Sequence, residues 1–471
     1  MKSRITKIIA ALGFVIIAYL CLAAVYGPLS WKDTSGDKIS SLTQLYETED
    51  NLVDVAFLGS SLCYFGTYPA YYWEDLGIAA FDIAVSSQDR ISGYHHLKEL
   101  LKTQSPKVVF VEAHDILYDK QQIIGNEYRN MLSMKPSVNS VQLITEGADK
   151  KSWLDYLFRF PIIHSRYKEL EKDDFELRAP NYFGRGEYMT WVKNGQGVPP
   201  YADGAPFPVP LDAGQTKWLE DLKALSAKKG FDLVLYFAPG YMTEEEQGVA
   251  DSVAEYGQAN GIPVIDFNKI RAEINFDYDN DLIDSGHSNA YGARKMADYF
   301  EQYLSERYSF TDHRGDSRYW QWDKDLEWYY SAKAIHELKS AELYEEYISK
   351  LSQSKDVLAV ISLEGDYTER AETDYYASLA KLGMTEEEYR AGGKWIYKNG
   401  ELTKVHGNDL NEAPFFYQLS NTETLKISYY GDYMHGENIL INKDSYYSLG
   451  DFMSILTYDC FTGEVIEVRG F

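Results

Sequence analysis

Ser61 lies at the mouth of an apolar stretch, LVDVAFLGSSLC from Leu52 to Cys63, and Asp284 lies three residues before His287 in DLIDSGHSNAY, Asp281 to Tyr291. These residue types can make a serine acyl-transfer site. A serine hydroxyl is inert at neutral pH and attacks only when a base takes its proton. An imidazole, with a free pKa of about 6.5, suits that task, and a carboxylate on Nδ1 holds the ring in the tautomer that leaves Nε2 free to accept. Gly59 allows a tight turn before the serines, so the Ser61 hydroxyl can point up from a sheet with its own N–H near a reacting carbonyl. Ser288 can cap the helix that follows His287. Taken singly, GSS also reads as a turn with a helix cap, and D-x-x-H as loop chemistry beside a surface helix. Placement after the first and last strands of one sheet would bring the two together at one edge.

The elements that must do this are visible as apolar runs. VDVAFL (Val53 to Leu58), AAFDIAV (Ala79 to Val85), KVVFVEA (Lys107 to Ala113), DLVLYFA (Asp232 to Ala238) and PVIDF (Pro263 to Phe267) suit strands covered on both faces. Between them SGYHHLKELLKT, LDAGQTKWLEDLKALSAKKG and TEEEQGVADSVAEYGQANG read as helices, the last two closing on glycine. Strands alternating with helices predict an α/β three-layer sandwich with a mostly parallel sheet, whose sites form at the carboxyl ends of the strands. The interval from about residue 116 to 212 breaks the rhythm and reads as an insertion that can wall a substrate groove.

The chain has 471 residues, too many for one core. Asp and Glu number 72 against 46 Lys and Arg, for a formal charge of -26. A field of that sign argues against nucleic acid as a partner and tolerates polyols, sugars or cationic groups. Lys2, Arg4 and Lys7 precede an uncharged run from Ile8 to Tyr26. About 20 apolar residues span a bilayer of roughly 30 Å, and basic residues on the first side favour the cytoplasm. Residues 1–31 are therefore expected to form a single-pass signal-anchor in the cell membrane, with the bulk of the chain extracytoplasmic; a cleaved signal peptide ending near LAAVYG is the alternative. Cys21, Cys63 and Cys460 are too few for a disulfide framework. No cofactor or metal is expected: no phosphate loop or H-E-x-x-H occurs, and His95 and His96, adjacent on a helix, cannot both face one ion.

FLGSS, then SSQD after the second strand, then DSGHSNAYGARKMADYF together resemble the SGNH/GDSL hydrolase superfamily over roughly Asp54 to Leu304. The likeness is to its exported, membrane-anchored branch near the lipoteichoic acid D-alanylation and alginate acetylation proteins. The resemblance implies Ser61 as nucleophile, Asp284 as acid and His287 as base, with Ser60 where more familiar members carry aspartate. The second block of the family presents a glycine whose N–H completes an oxyanion hole; here Ser86 or Ser87 stands near that place, alongside the N–H of Ser61 itself. The third block supplies an asparagine, whereas this chain has VEAHD. Neither Glu112 nor His114 replaces an amide donor without cost, and one such donor is worth about 2.7–4 kcal/mol. Simple hydrolysis is thus expected to be weak, with a dedicated transferase or a cationic substrate fitting as well. A polar strand end exposed at the rim is the other reading of Glu112 and His114.

DHRGDSRYWQWDKDLEWYY, Asp312 to Tyr330, offers His313, Trp320 and Trp322 as rings that could stack on sugars; an aromatic linker over residues 311–353 is the plainer account. From residue 354 to 471 a small mixed α/β module is expected, with a hairpin signal at Asn399 and Gly400. Its strand, its helix ending in LG, and ILINKDSYY with SILTYDCFTGEVIEV resemble the interleukin-like epithelial-transition-inducer domain, which implies glycan recognition; a structural cap is the alternative. Residues 32–310 are then the catalytic domain. The expected activity is a serine-dependent acyl ester hydrolase or an O-acyltransferase moving acetyl or D-alanyl groups on an envelope polysaccharide or teichoic acid-like polymer, with a membrane-bound acyl-transfer partner. A non-catalytic glycan-binding scaffold of the same fold is the second class.

Overall fold

The computed structural model describes residues 13–14, 16–17, 20–22, 24–29, 42–117, 127–170, 175, 183–186, 188–197, 201, 204–364, 367, 375–430, 438–446 and 452–471. The chain divides into two compact units, Met1–Asp325 and Leu326–Phe471.

The first unit is built on β1 (Val55–Gly59), β2 (Ala80–Ala84), β3 (Val108–Glu112), β4 (Asp232–Phe237) and β5 (Val264–Asp266), in the order β2-β1-β3-β4-β5. Every pairing is parallel. All residues of β1, β2 and β3 are buried, which requires cover on both faces and accounts for their unbroken apolar character. Phe57 of β1 and Phe110 of β3 stack at 5.1 Å, and Phe300 of the late helix meets both edge-on. The register aligns Gly59 with Ala84, and Glu112 with Tyr236. The residues that follow the strands therefore emerge along one edge.

The connecting helices end and begin where their chemistry dictates. Asp89 forms a capping box with Ser92 at the start of Arg90–Leu100. Ala213–Lys229 and Glu244–Asn260 close on Gly230 and Gly261 in the left-handed region. The helix after His287, Ala290–Arg307, is capped by Asn289, whose side chain accepts from Tyr291 and Gly292 N–H. Ser288, the expected cap, is instead buried with its Oγ toward Met296.

The expected membrane span is corrected. Among the described residues no helix is long and apolar enough to cross a membrane, whereas a span needs about 20 consecutive apolar residues in one helix. The described helical residues of the Ile8–Tyr26 run are 13–14, 16–17, 20–22 and 24–26; the remainder, and residues 30–41, lie outside the described residues. The single-pass signal-anchor and the membrane localisation fall with it.

The second unit holds two antiparallel sheets. β6 (Val357–Leu363), β7 (Gly393–Lys398), β8 (Glu401–His406), β13 (Met453–Asp459) and β14 (Glu464–Gly470) form one, in the order β14-β13-β6-β7-β8. β9 (Phe415–Gln418), β10 (Thr424–Ile427), β11 (Ile439–Ile441) and β12 (Asp444–Ser445) form the other. Leu358, Val360 and Leu456 pack with Leu425, Ile427 and Ile439 between the two sheets. The other face of the larger sheet buries Ile361, Trp395 and Ile455 against Tyr347 and Leu351 of the helix Tyr344–Gln353. Asn399 and Gly400 both take positive φ, and Lys398 pairs with Glu401 across that two-residue turn.

Candidate active site

Ser61 opens a short helix, α1 (Ser61–Gly66), directly after β1. Its Oγ lies 2.8 Å from Nε2 of His287. Nδ1 of the same ring lies 2.8 Å from Oδ2 of Asp284. An ionised carboxylate can only accept, so Nδ1 donates to Asp284 and Nε2 presents its lone pair to the serine hydroxyl. The other carboxylate oxygen, Oδ1, accepts the N–H of Gly286 at 2.8 Å and of His287 at 2.9 Å. Partial burial works against ionisation of Asp284, but these two N–H groups and the imidazole outweigh it and hold the carboxyl below its ordinary range.

Close backbone approaches position the pieces. A Cβ on Gly59 would sit 2.6 Å from Cβ of Glu112 and 2.9 Å from Cβ of Cys63. Gly59 is not among the glycines with positive φ, so its role is to let β1 lie tight against the end of β3 rather than to turn the chain. On the far side of the site, a Cβ on Gly240 would lie 2.7 Å from Cα of Gly286, and the N–H of Tyr241 donates to the Ser285 carbonyl at 2.6 Å. The loop after β4 thus cradles the Asp284–His287 loop.

The insertion closes the remaining side. Tyr188 N–H donates to the Tyr64 carbonyl at 2.8 Å, Ala290 N–H to the Thr190 carbonyl at 2.7 Å, and Asn194 N–H to the Leu282 carbonyl at 3.0 Å. Asn289 Nδ2 adds a bond to the Val192 carbonyl at 3.0 Å. Residues 188–195 therefore strap the helix that Ser61 opens to the loop that bears His287. The strap brings Tyr188 to within 4.8 Å, centroid to centroid, of Phe65, and Phe65 in turn lies 4.9 Å from the imidazole of His287. Neither aromatic was singled out from the sequence, because the contact depends on how the insertion returns.

Ser86 and Ser87 follow β2 at the same edge. Ser87 has φ of 52°, in the left-handed region, so this serine adopts the conformation that glycine takes most easily. Asn130, in the insertion, donates its side-chain amide to the carbonyls of Ser86 at 3.2 Å and Ser87 at 3.3 Å. Glu112 and His114 are not an exposed rim: Glu112 is fully buried and His114 is 8% exposed. Glu112 accepts from the imidazole Nδ1 of His114 at 2.5 Å, and from the N–H groups of His114 and Ala238, both at 3.2 Å. Burial opposes charge on His114, but the Glu112 carboxylate overrides it and raises the imidazole's pKa. Glu112 is thus committed as an acceptor and offers no donor to an oxyanion.

The aromatic candidates lie elsewhere. Trp322 is fully buried and its indole N–H donates to the Ala80 carbonyl at 2.9 Å. His313 stacks on Tyr319 at 4.2 Å and meets Asp54 at 3.2 Å. Asp54 precedes β1 whereas Ser61 follows it, so a strand's length, about 3.3 Å per residue, separates His313 from Ser61. Trp320 is exposed. His95 and His96 are engaged by Asn139 Oδ1 at 2.8 Å and Gln88 Oε1 at 2.7 Å. Among the described residues no group of three or more His, Cys, Asp or Glu is arranged to hold a metal ion. Burial pushes the Cys63 thiol well above its ordinary pKa, which leaves it a poor thiolate.

No protein-family model matches the chain, and no curated protein matches it. A solved structure from Bacteroides fragilis, provisionally designated an acylhydrolase, is distantly similar: 11% sequence identity and a TM-score of 0.29, over 59% of this chain and 99% of that one.

Proposed function

We propose that the protein is a serine-dependent acyl-ester enzyme that carries a short acyl group, acetyl or D-alanyl, on Ser61 and releases it to water or to a hydroxyl of a polysaccharide. The observation that carries this reading is the unbroken chain from Ser61 Oγ through His287 to Asp284, 2.8 Å at each link. As Oγ bonds to the ester carbonyl carbon, its proton passes to Nε2 of His287 and the carbonyl oxygen becomes an oxyanion. The carbon–oxygen bond to the leaving alcohol then breaks, and that alcohol takes the proton from Nε2. Water or a sugar hydroxyl repeats the sequence in reverse, giving its proton to Nε2 as it attacks the acyl-serine. Asp284, held ionised, stabilises the imidazolium at both stages.

Backbone N–H groups of Ser61 and of the Ser86–Ser87 turn are the oxyanion donors in this scheme. With Glu112 committed as an acceptor, a side-chain donor from the third strand is missing, and hydrolysis of simple esters is slow. A saccharide acceptor is supported by the Phe65 and Tyr188 rings beside His287, since aromatic faces cover the apolar face of a pyranose, and by the net charge of -26, which suits a neutral polyol better than an anionic polymer.

The test is to incubate the protein with an activated acetyl ester and locate the adduct by intact-mass and peptide mass spectrometry, with Ser61→Ala as control. An acetyl group confined to Ser61 is expected. A folded sample with neither adduct nor ester turnover rejects the proposal in favour of a binding protein that retains the fold.

A further inference from the structure

Asn130 stands far from Ser61 in sequence and outside the residues that carry the proton. Yet it is fully buried and spends both side-chain donors' reach on one feature, the carbonyls of Ser86 and Ser87. Among the described residues its own Oδ1 has no hydrogen-bond partner, and the two carbonyls are held by its nitrogen. The turn it holds includes Ser87 at φ of 52°, a conformation that an L side chain seldom adopts unless its surroundings impose it. A glycine would need no such hold.

The hold is itself braced. His96 Nδ1 donates at 2.7 Å to Oε1 of Gln88, the residue next to the turn, and the Ser133 hydroxyl lies between His96 Nε2 at 3.0 Å and the Asn130 carbonyl at 2.9 Å. Gln88 Nε2 donates to Asp115 Oδ2 at 3.3 Å. Gln88, His96, Asp115 and Asn130 are all at least 98% buried. A buried polar network therefore joins Asp115, Gln88, His96 and Asn130 to the Ser86–Ser87 turn. Among the described residues every peptide bond is trans, and across a trans peptide the carbonyl and the following N–H point opposite ways. Drawing the Ser86 carbonyl onto the buried Asn130 turns the Ser87 N–H away from the interior.

We infer that Asn130 is a positioning residue for the acyl-transfer site: its amide imposes on Ser86–Ser87 the glycine-like turn that aims a backbone N–H at the oxyanion. The inference rests on the reading of Ser61 as nucleophile. It makes the insertion a working part of the site, with α3 (Glu127–Leu132), which bears Asn130, holding the Ser86–Ser87 turn and α2 (Arg90–Leu100), which bears His96, backing it.

Four proteins test it: the wild type, Asn130→Ala, Ser87→Gly and the double variant. Acylation by an activated acetyl ester is followed by stopped-flow, and hydrogen exchange is followed in peptides covering residues 85–89. Asn130→Ala is expected to slow acylation at least about 10-fold with little change in KM, within the ~10²-fold that a misplacement of about 1 Å costs. Exchange should rise in the 85–89 peptides and not in those of β1 or β3. Adding Ser87→Gly to Asn130→Ala should recover acylation to within about 3-fold of the Ser87→Gly protein, because glycine holds the turn unaided. Asn130→Asp, which keeps the size but sets an acceptor against two carbonyls, should fail like alanine. Wild-type exchange at 85–89 in Asn130→Ala, or a loss that glycine does not recover in a folded double variant, overturns the inference. Absence of acylation in the wild type rejects the Ser61 reading instead, and the exchange arm still decides whether Asn130 holds the turn.

Discussion

Asp284 grips His287 at two points, taking the imidazole Nδ1 on Oδ2 at 2.8 Å and the backbone N–H of the same residue on Oδ1 at 2.9 Å. A side chain tied to its own loop in this way has its ring plane and its tautomer set together. The carboxylate that orients the base also shapes the turn from which the base projects.

The first prediction follows from that double role. With p-nitrophenyl acetate, Ser61→Ala and His287→Ala are expected to fall to the uncatalysed background, and Asp284→Ala to lose less, roughly 10²-fold in kcat. Replacing Asp284 also removes the acceptor of two backbone N–H groups, so the Gly286 and His287 amides should exchange faster with solvent. Equal activity in the Asp284 variant and the wild type would exclude the proposed base geometry.

Phe65 leans on the imidazole at 4.9 Å and on Tyr188 at 4.8 Å. Phe65→Ala should lower kcat about 10-fold by freeing the ring of His287, while Tyr188→Ala should raise KM for saccharide acceptors and leave acylation by small esters nearly unchanged. Steady-state kinetics with a small and a glycosidic substrate separate the two effects.

Gly59 tolerates no side chain, since its Cβ would stand 2.6 Å from that of Glu112. Gly59→Ala is expected to destabilise the first unit by about 1–3 kcal/mol through overpacking, read as a lower urea midpoint at unchanged m-value. Gly286→Ala, whose Cβ would meet Leu62 at an ordinary 3.5 Å, should cost far less.

His96 is fully buried, and desolvation lowers its pKa from 6.5 to about 4. The unfolded chain then takes up the proton first, so stability is complete above about 6.5 and declines as pH falls toward about 4. His96→Gln should flatten that part of the stability profile. Urea melts at pH 7 and pH 5 on both proteins measure it, and an unchanged slope would show that His96 does not titrate on unfolding.

Trp322→Phe removes the indole donor to the Ala80 carbonyl. A loss of about 1–3 kcal/mol in stability is expected from the buried acceptor left behind, with no change in affinity for glycans. A loss of glycan binding at full stability would restore Trp322 as a sugar platform.

How much of this was legible in the chain depends on the range of the interaction. The five strand cores could be read because burial on both faces demands unbroken apolar runs, and strand order then fixes which loops share an edge. That is why Ser61 and His287, apart by 226 residues, could be paired before their distance was known. Local rules misplaced smaller things. Ser288 and Asn289 are both cap-forming types, and only packing against Met296 decides between them. Gly59 looked like a turn and is a close approach. Glu112 and His114 looked like an exposed strand end because their mutual pairing, which makes burial affordable, is invisible in composition. Hydropathy alone suggested a membrane span for Ile8–Tyr26. The strap at 188–195 and the Asn130 amide carry no local signal at all, since both act on residues that only the returned insertion brings near.

The separation of Ser61 from His287 also has a history in time. At a synthesis rate of about 5–20 residues per second, a separation of 226 positions places the arrival of the imidazole roughly 10–45 s after that of the serine. Through that interval the strap at 188–195 emerges without the histidine loop it must bind, and the hydroxyl has no base to activate it. On the proposal that Ser61 is the nucleophile, a nascent chain meets ester-bearing molecules without reacting with them, and the site is assembled only once the last crossover of the first unit has been made.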